Sequence, residues 1–258
     1  MSGFLFDEII FGPVKSRRLG VSLGINLLPT KQKFCSFNCI YCECGWNPET
    51  VKNKIILPKR TELSVLLENK FQDLQENNLT PDAITFAGNG EPTIHPEFDL
   101  IVKDTIALRD KYFPNAKTTV LSNSSMIHKK EIFNALKLVD NNILKLDTGS
   151  QEQFERICQA HAHLKVENIV DHLCKYKGDL IIQTLFLRGF YNDKTIDNTT
   201  EYELNLWLGH LKRIKPKKVM IYPIDRSTPA NNLEKISSEE LQKIAERIHQ
   251  IGLKTEVY

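Results

Sequence analysis

Apolar and polar positions along this chain follow two periods. "GVSLGINLL" (20–28) changes character at every second residue, the pattern of a strand with one buried face. "LSVLLENKFQDLQENN" (63–78) instead repeats its apolar residues at helical spacing, and the short apolar run "DAITFA" (82–87) follows as a strand. The exchange then recurs. "EFDLIVKDTIALRDKYF", "KKEIFNALKLV", "QEQFERIC", "VENIVDHLCKYK" and "YELNLWLGHLKRI" predict helices, while "KTTVLS", "NILKLD", "DLIIQTLFL" and "KKVMIYPI" predict strands among them. A last helix, "SSEELQKIAERIHQI", opens on a capping box with Ser237 or Ser238 ahead of Glu239 and Glu240, and "LKTEVY" closes the chain.

Strands that alternate with long helices predict βαβ units, a parallel sheet and an α/β fold. Both a full or partial barrel and an open doubly wound sheet fit about six such units, and both collect functional residues where strands end. The chemically distinctive residues do follow strands. Cys35 to Cys44 come after the first, Gly88 to Thr93 after the second, and Ser122 and Asn123 after the third. Lys145 and Asp147 end the fourth, Gln183 and Thr184 lie on the fifth, and Tyr222 to Arg226 end the sixth. One shared rim would gather all of them.

Composition adds boundaries rather than identity. The 258 residues are 41% hydrophobic and 26% charged, and 34 basic against 32 acidic side chains leave a formal charge of +2. So balanced a chain does not call for a bulk polyelectrolyte partner. The N-terminus lacks a signal-peptide layout, and no apolar stretch approaches the roughly 18 residues of a membrane span. A cytosolic protein that does not enter a membrane is therefore expected, and there clustered cysteines serve as metal ligands or redox groups rather than disulfides.

That expectation falls on "KFCSFNCIYCECGW" (33–46), which holds four of the six cysteines. The spacing is Cys35-x3-Cys39-x2-Cys42, with Cys44 one residue further on. Three thiolates on a short loop can hold three irons of a four-iron cubane and leave the fourth iron open. A zinc site with Cys44 as fourth ligand is the alternative, although Cys42-x-Cys44 is tighter than the usual zinc pair. A closed electron-transfer centre would want a fourth cysteine as well.

The Cys-x3-Cys-x2-Cys loop, with Tyr41 before the third cysteine and a strand before the first, resembles the signature of the radical S-adenosylmethionine (SAM) superfamily. "FGPVKSRRLGVSLGINLLP", "GNGEPTIHPEF" and "LKLDTGS" extend the resemblance over about residues 11–226, towards wyosine-base synthases and related iron–sulfur oxidoreductases. The resemblance implies a partial (βα)6 TIM-like barrel in a single domain over residues 1–258, with the core at about 11–226 and a C-terminal helix and strand at about 227–258. It implies a [4Fe–4S] cluster on Cys35, Cys39 and Cys42, whose open iron is chelated by the amino and carboxylate groups of SAM. One electron, from a donor such as flavodoxin or ferredoxin, would then cleave SAM to methionine and a 5′-deoxyadenosyl radical that takes hydrogen from a substrate.

The same resemblance distributes roles on the rim. Gly88, Asn89, Gly90 and Glu91 match the motif that receives the methionine amino group, glycine letting backbone approach the ligand and Glu91 adding an ionic acceptor. Ser122 and Asn123 stand where relatives contact the ribose or the carboxylate, or else simply cap a helix. Lys145 and Asp147 share one strand face, and a buried pair there is costly unless it binds something. Tyr41 would pack near cluster or adenine, and Gln183 would line the chamber, as would Tyr222, Asp225 and Arg226. Arg17 and Arg18 of "KSRR" offer an anionic contact to a phosphate or carboxylate, or form a solvated turn. "KRIKPKK" (212–218) is expected as a solvated helix end. Cys158 and Cys174, and with them "ICQAHAH" (157–163), are expected as core packing rather than metal ligands. No cysteine precedes Cys35 and none follows Cys174, which argues for a single-cluster enzyme acting on a tRNA base, a peptide or protein, or a small metabolite.

Overall fold

The structure, a computed structural model, describes residues 3–49, 55–160 and 164–258. In chain order the elements are β1 (Ile10–Ser16), β2 (Gly20–Ile25), α1 (Arg60–Glu76), β3 (Ala83–Phe86), α2 (Phe98–Tyr112), β4 (Lys117–Ser122), α3 (Lys130–Leu136) and β5 (Asn141–Lys145). Then follow α4 (Gln151–Cys158), α5 (Val166–Cys174), β6 (Ile181–Tyr191), β7 (Lys194–Asp197), α6 (Glu201–Ile214), β8 (Lys218–Pro223), β9 (Leu233–Lys235), α7 (Ser238–Gln250) and β10 (Thr255–Val257). The sheet order is β1-β2-β3-β4-β5-β6-β8-β10. Along this path every neighbour from β2 to β10 runs parallel and β1 is antiparallel to β2, while β7 and β9 pair antiparallel with β6. The βαβ expectation therefore holds strand by strand.

Alternate positions on these strands face opposite layers. Val120, Leu144, Ile182, Val219 and Ile221 belong to the large core under the helices. Ile143, Ile181 and Met220 form a separate small core on the other face, packed against Leu19, Leu121 and Tyr258. That face is concave. The turn before β2 carries Arg18, whose Nη1 donates to Gln183 Oε1 on β6 at 3.1 Å. Between β2 and β6 lie four ladder steps, about 19 Å across a flat sheet, so the sheet must curl to bring them together. Among the described residues no ladder joins β1 to β10. The curl is thus a partial barrel, as the sequence led us to expect.

Three strands escape the periodicity. β1, "IFGPVKS", is interrupted by Gly12-Pro13, where its register against β2 shifts; proline is tolerated there because the strand is an edge. β7 and β9 are short, and pair with the second half of β6 beyond the barrel. The expected capping box is present at α7, where Ser237 Oγ accepts from the Glu240 N–H at 3.2 Å and Glu240 Oε2 from the Ser237 N–H at 3.3 Å. Of "KRIKPKK", expected whole as a solvated helix end, only 212–214 end α6, where Arg213 pairs with Glu167 and Asp171; Lys217 pairs with Asp179 in the following loop, and Lys218 opens β8 and pairs with Glu256. Among the described residues no helix is long and apolar enough to cross a membrane.

The segment after β5 is fixed from the helix layer. Trp207 on α6 is 1% exposed, and its Nε1 donates to the Leu146 carbonyl at 2.9 Å, which also accepts from Thr184 Oγ1 at 2.7 Å. Glu203 Oε2 accepts from the Gly149 and Ser150 N–H groups at 3.0 and 3.1 Å. Trp207→Phe removes the indole donor and part of the contact with Phe186, and is expected to cost about 1–3 kcal/mol in urea unfolding. A change below the error of that measurement would show that Trp207 does not brace Leu146.

Candidate active site at the cysteine loop

The cysteine loop is held by its backbone, which leaves its sulfurs free for other work. Phe34 bridges to Gly90: its N–H donates to the Asn89 carbonyl at 2.8 Å, and its carbonyl accepts from the Glu91 N–H at 3.3 Å. Asn47 donates through Nδ2 to the Cys35 and Phe37 carbonyls at 3.0 and 3.1 Å, and accepts from the Cys35 N–H at 3.1 Å. The end of α4 completes the frame. The Asn38 N–H donates to the Cys158 carbonyl and the Ile40 N–H to the Ile157 carbonyl, each at 3.0 Å. Phe37 and Ile40, 1% and 0% exposed, anchor the loop in the large core, Phe37 edge-on to Phe154.

Each motif sulfur meets donors. Cys35 Sγ accepts from the Phe37 N–H and from Asn123 Nδ2, both at 3.5 Å, and Cys39 Sγ from Lys145 Nζ at 3.0 Å. The neighbouring Cys158 thiol, helped by Lys145, pulls Cys39 down to about 6. The Cys44 thiol, with Lys33 behind it, pulls Cys42 down to about 5. Burial, reinforced by the charge on Cys39, pushes Cys35 up to about 12. The Cys44 sulfur also lies 3.5 Å from the Gly88 carbonyl oxygen, the alternative acceptor for its one proton, so it links two loops. Lys33 is 2% exposed and spends one proton on the Gly45 carbonyl at 2.8 Å. Three thiols with N–H and S–H donors aimed at them are the soft donor set that an iron–sulfur cluster takes. Ligands on different irons stand farther apart than ligands sharing one ion. Among the described residues no three His, Cys, Asp or Glu side chains gather closely enough to share one.

The structure brings most of the expected rim residues to this loop, several in roles of their own. Gly88 and Gly90 have φ of 152° and 144°. A Cβ on Gly90 would lie 1.9 Å from the Phe34 carbonyl oxygen, and one on Gly88 2.4 Å from Asn26 Oδ1. The glycines thus admit the chain's own loops. The Asn89 side chain turns away to the N-terminal segment, bonding the Phe6 N–H and carbonyl at 2.8 Å and the Pro29 carbonyl at 2.9 Å. Glu91, 1% exposed, accepts from Thr93 N–H at 3.1 Å, Ser122 Oγ at 2.9 Å and Asn123 N–H at 2.6 Å. Burial nonetheless raises its carboxyl above the usual range. Ser122 is thereby committed to Glu91, and Asn123 reaches the cysteine loop through Ser36 Oγ at 2.9 Å.

Lys145 and Asp147 form an ion pair at 3.2 Å, with side chains 10% and 0% exposed. Asp147 also accepts from the Leu185 N–H at 3.0 Å and from the Tyr41 hydroxyl. Burial works against the Lys145 charge, but Asp147 and the sulfurs of Cys158 and Cys39 hold its ammonium well above the usual range. Tyr41 is pushed up by burial and by Asp147, so its hydroxyl keeps its proton. Gln183, the ladder partner of Lys145, lies on the concave face against Arg18, while Arg17 and Arg226 pair at the surface with Asp225 and Glu43. Cys174 packs on the core as expected. Cys158 is buried as expected, yet its thiol faces Cys39 and not only apolar neighbours. His161 and His163 lie outside the described residues. Lys33, Asn47 and Cys158 were missed as site residues. Only the position of Lys33 inside the quoted loop offered any signal.

In cluster-free protein, iodoacetamide should modify Cys42 at a rate that rises through pH about 5 and has levelled by neutrality. Cys35, held up near about 12, should stay unreacted there, as timed labelling with peptide mass spectrometry will show. Equal labelling of the two at neutral pH would contradict this environment. Gly90→Ala should destabilise the fold by about 2 kcal/mol or more in urea unfolding, since a backbone clash is added at positive φ.

Known proteins share the sequence family and the frame. Residues 30–202 match the family model of the Radical SAM superfamily. A UPF0026 protein of Helicobacter pylori strain J99 is 33% identical over 242 residues, covering 91% of this chain and 72% of that relative. A radical SAM methyltransferase from Sphaerobacter thermophilus superposes with a TM-score of 0.65 at 12% identity, over 92% of this chain and 65% of its own. SuiB of Streptococcus suis, solved bound to S-adenosylmethionine, gives 0.58 at 12% identity, over 91% of this chain and 46% of its own. The two structures share the fold, and the family match spans the cysteine loop, the glycine turn and the Lys145–Asp147 strand: the chain belongs to the radical SAM superfamily.

Proposed function

We propose that this protein holds a [4Fe–4S] cluster on Cys35, Cys39 and Cys42 and uses SAM to abstract hydrogen from a substrate in the cytosol. The observation that carries this reading is the single loop on which three cysteines meet N–H and S–H donors beside a buried Lys145–Asp147 pair. When bound, the cluster supplies the electron that splits SAM into methionine and a 5′-deoxyadenosyl radical. The chain's own residues bind, orient and shield.

The Lys145 ammonium, kept charged beside Cys39, is a partner for the methionine carboxylate. Carbonyls of the Gly88–Glu91 turn, with Glu91 behind them, suit the methionine amino group. Asn123 holds this turn against the cysteine loop through Glu91, Ser36 and Cys35. Tyr41 and Asp147 bond each other across the rim, where they limit water and offer a ribose contact. The donors on the sulfurs stabilise added negative charge at the cysteines, which favours reduction. A low-potential flavodoxin or ferredoxin fits as electron donor.

Anaerobically reconstituted protein should be brown, change its EPR spectrum on adding SAM, and release 5′-deoxyadenosine on reduction. Cys39→Ala should lose iron and this release together, whereas Cys44→Ala should keep its iron. A spectrum indifferent to SAM would sink the proposal in favour of an electron carrier. Equal metal loss in both variants would favour a four-cysteine site.

A further inference from the structure

Beside the Lys145–Asp147 pair, the concave face carries a further cation that the SAM chemistry does not use. Arg18 stands on the turn between β1 and β2, half-buried, next to Leu19, which packs on the small core of Ile143, Ile181 and Met220. Its guanidinium lies 4.7 Å from the centroid of the Tyr222 ring and donates to Gln183 Oε1 at 3.1 Å. Gln183 is the ladder partner of both Lys145 and Met220, so Arg18 meets the concave face at the level of Lys145, one step above Ile143 and Ile181.

Two features single this guanidinium out. Among the described residues no carboxylate pairs with it, in contrast to Arg17, whose Nη2 meets Asp225 at 3.0 Å. The concave face thus holds Arg18 beside two cations that are already paired, Lys145 with Asp147 and Lys218 with Glu256. A partly desolvated charge without a counter-charge is costly, and an incoming anion relieves that cost. Its geometry is also prepared. A neutral amide and a ring face orient the planar fork without consuming its charge, and most of its five N–H donors stay available to a planar or tetrahedral oxyanion.

We propose that Arg18, oriented by Gln183 and Tyr222, binds the anionic group, carboxylate or phosphate, of a small substrate whose reacting carbon points up towards the cysteine loop. This rests on the radical SAM reading for the word substrate, but not for the binding itself. The guanidinium lies inside the curl of the sheet, with Gln183 only 8% exposed, which favours a small molecule over a polymer.

The test is calorimetric titration of the full-length, cluster-reconstituted protein with inorganic phosphate and with malonate, in a buffer free of other anions that compete. The wild type and Arg17→Gln should hold at least one of the two at millimolar concentration, and the tighter one identifies the headgroup. Arg18→Gln should weaken that binding by about tenfold or more, the loss expected for a charge-assisted hydrogen-bond pair. Arg18→Lys keeps the charge but not the fork, and should weaken it by a smaller factor; it also carries the test if Arg18→Gln fails to fold. Absence of anion binding in the wild type, equal loss in Arg17→Gln, or binding of an oligoribonucleotide alone would each overturn the proposal. Anion binding through Arg18 in a protein that leaves SAM intact would support the site and count against the radical SAM reading alone.

Discussion

The contact on which the site depends is the one between the Phe34 carbonyl and Gly90. Any side chain at Gly90 would occupy the space of that oxygen, 1.9 Å from a Cβ. Its absence lets the loop after β2 lie against the loop after β3 and exchange backbone hydrogen bonds with it. From there the connections pass on. Glu91 gathers donors from the end of β4, and Asn123, which gives one of them, returns to Ser36 and Cys35. The cysteine loop is thus tied to three strand ends and to α4, although it contains no regular structure itself. Rigidity at a site built from a loop has to come from such cross-links, because the loop has no ladder of its own.

Electrostatics at the site follow from the same closeness. Lys33 and Lys145 are buried cations, and each lies near sulfur: Lys145 donates to Cys39, while Lys33 lowers Cys42 from behind. A buried ammonium is tolerable only beside negative charge, and here that charge is shared between Asp147 and the thiolates. The Lys145–Asp147 pair therefore belongs to the chemistry of the cysteines as much as to the stability of the barrel.

Layers on the concave face give the barrel a direction. The cysteine loop and the Asp147–Tyr41 pair stand at the strand ends, Lys145, Gln183 and Met220 share one level beneath them with Arg18 against Gln183, and Ile143 and Ile181 lie lower. Period two along β5, β6 and β8 produces this order, since residues two apart on one strand share a face at successive heights. Apolar residues at the lower heights seal the chamber, and polar ones above line it.

Much of this was legible in the chain. The alternation of strands and helices predicted a parallel α/β sheet, and the spacing of Cys35, Cys39 and Cys42 marked the loop, because both rest on local periodicity. β1, β7 and β9 stayed hidden, since short or proline-interrupted edge strands carry almost no periodic signal. Only the tertiary structure showed that Asn89 faces the N-terminal segment, that Ser122 serves Glu91, and that Cys158 of α4 meets Cys39. It alone brought Arg18 across four ladder steps to Gln183. Sequence determined which residues stand at strand ends, because that depends on neighbours along the chain. The curl of the sheet decided which strand ends face one another, because that depends on packing between residues far apart in sequence.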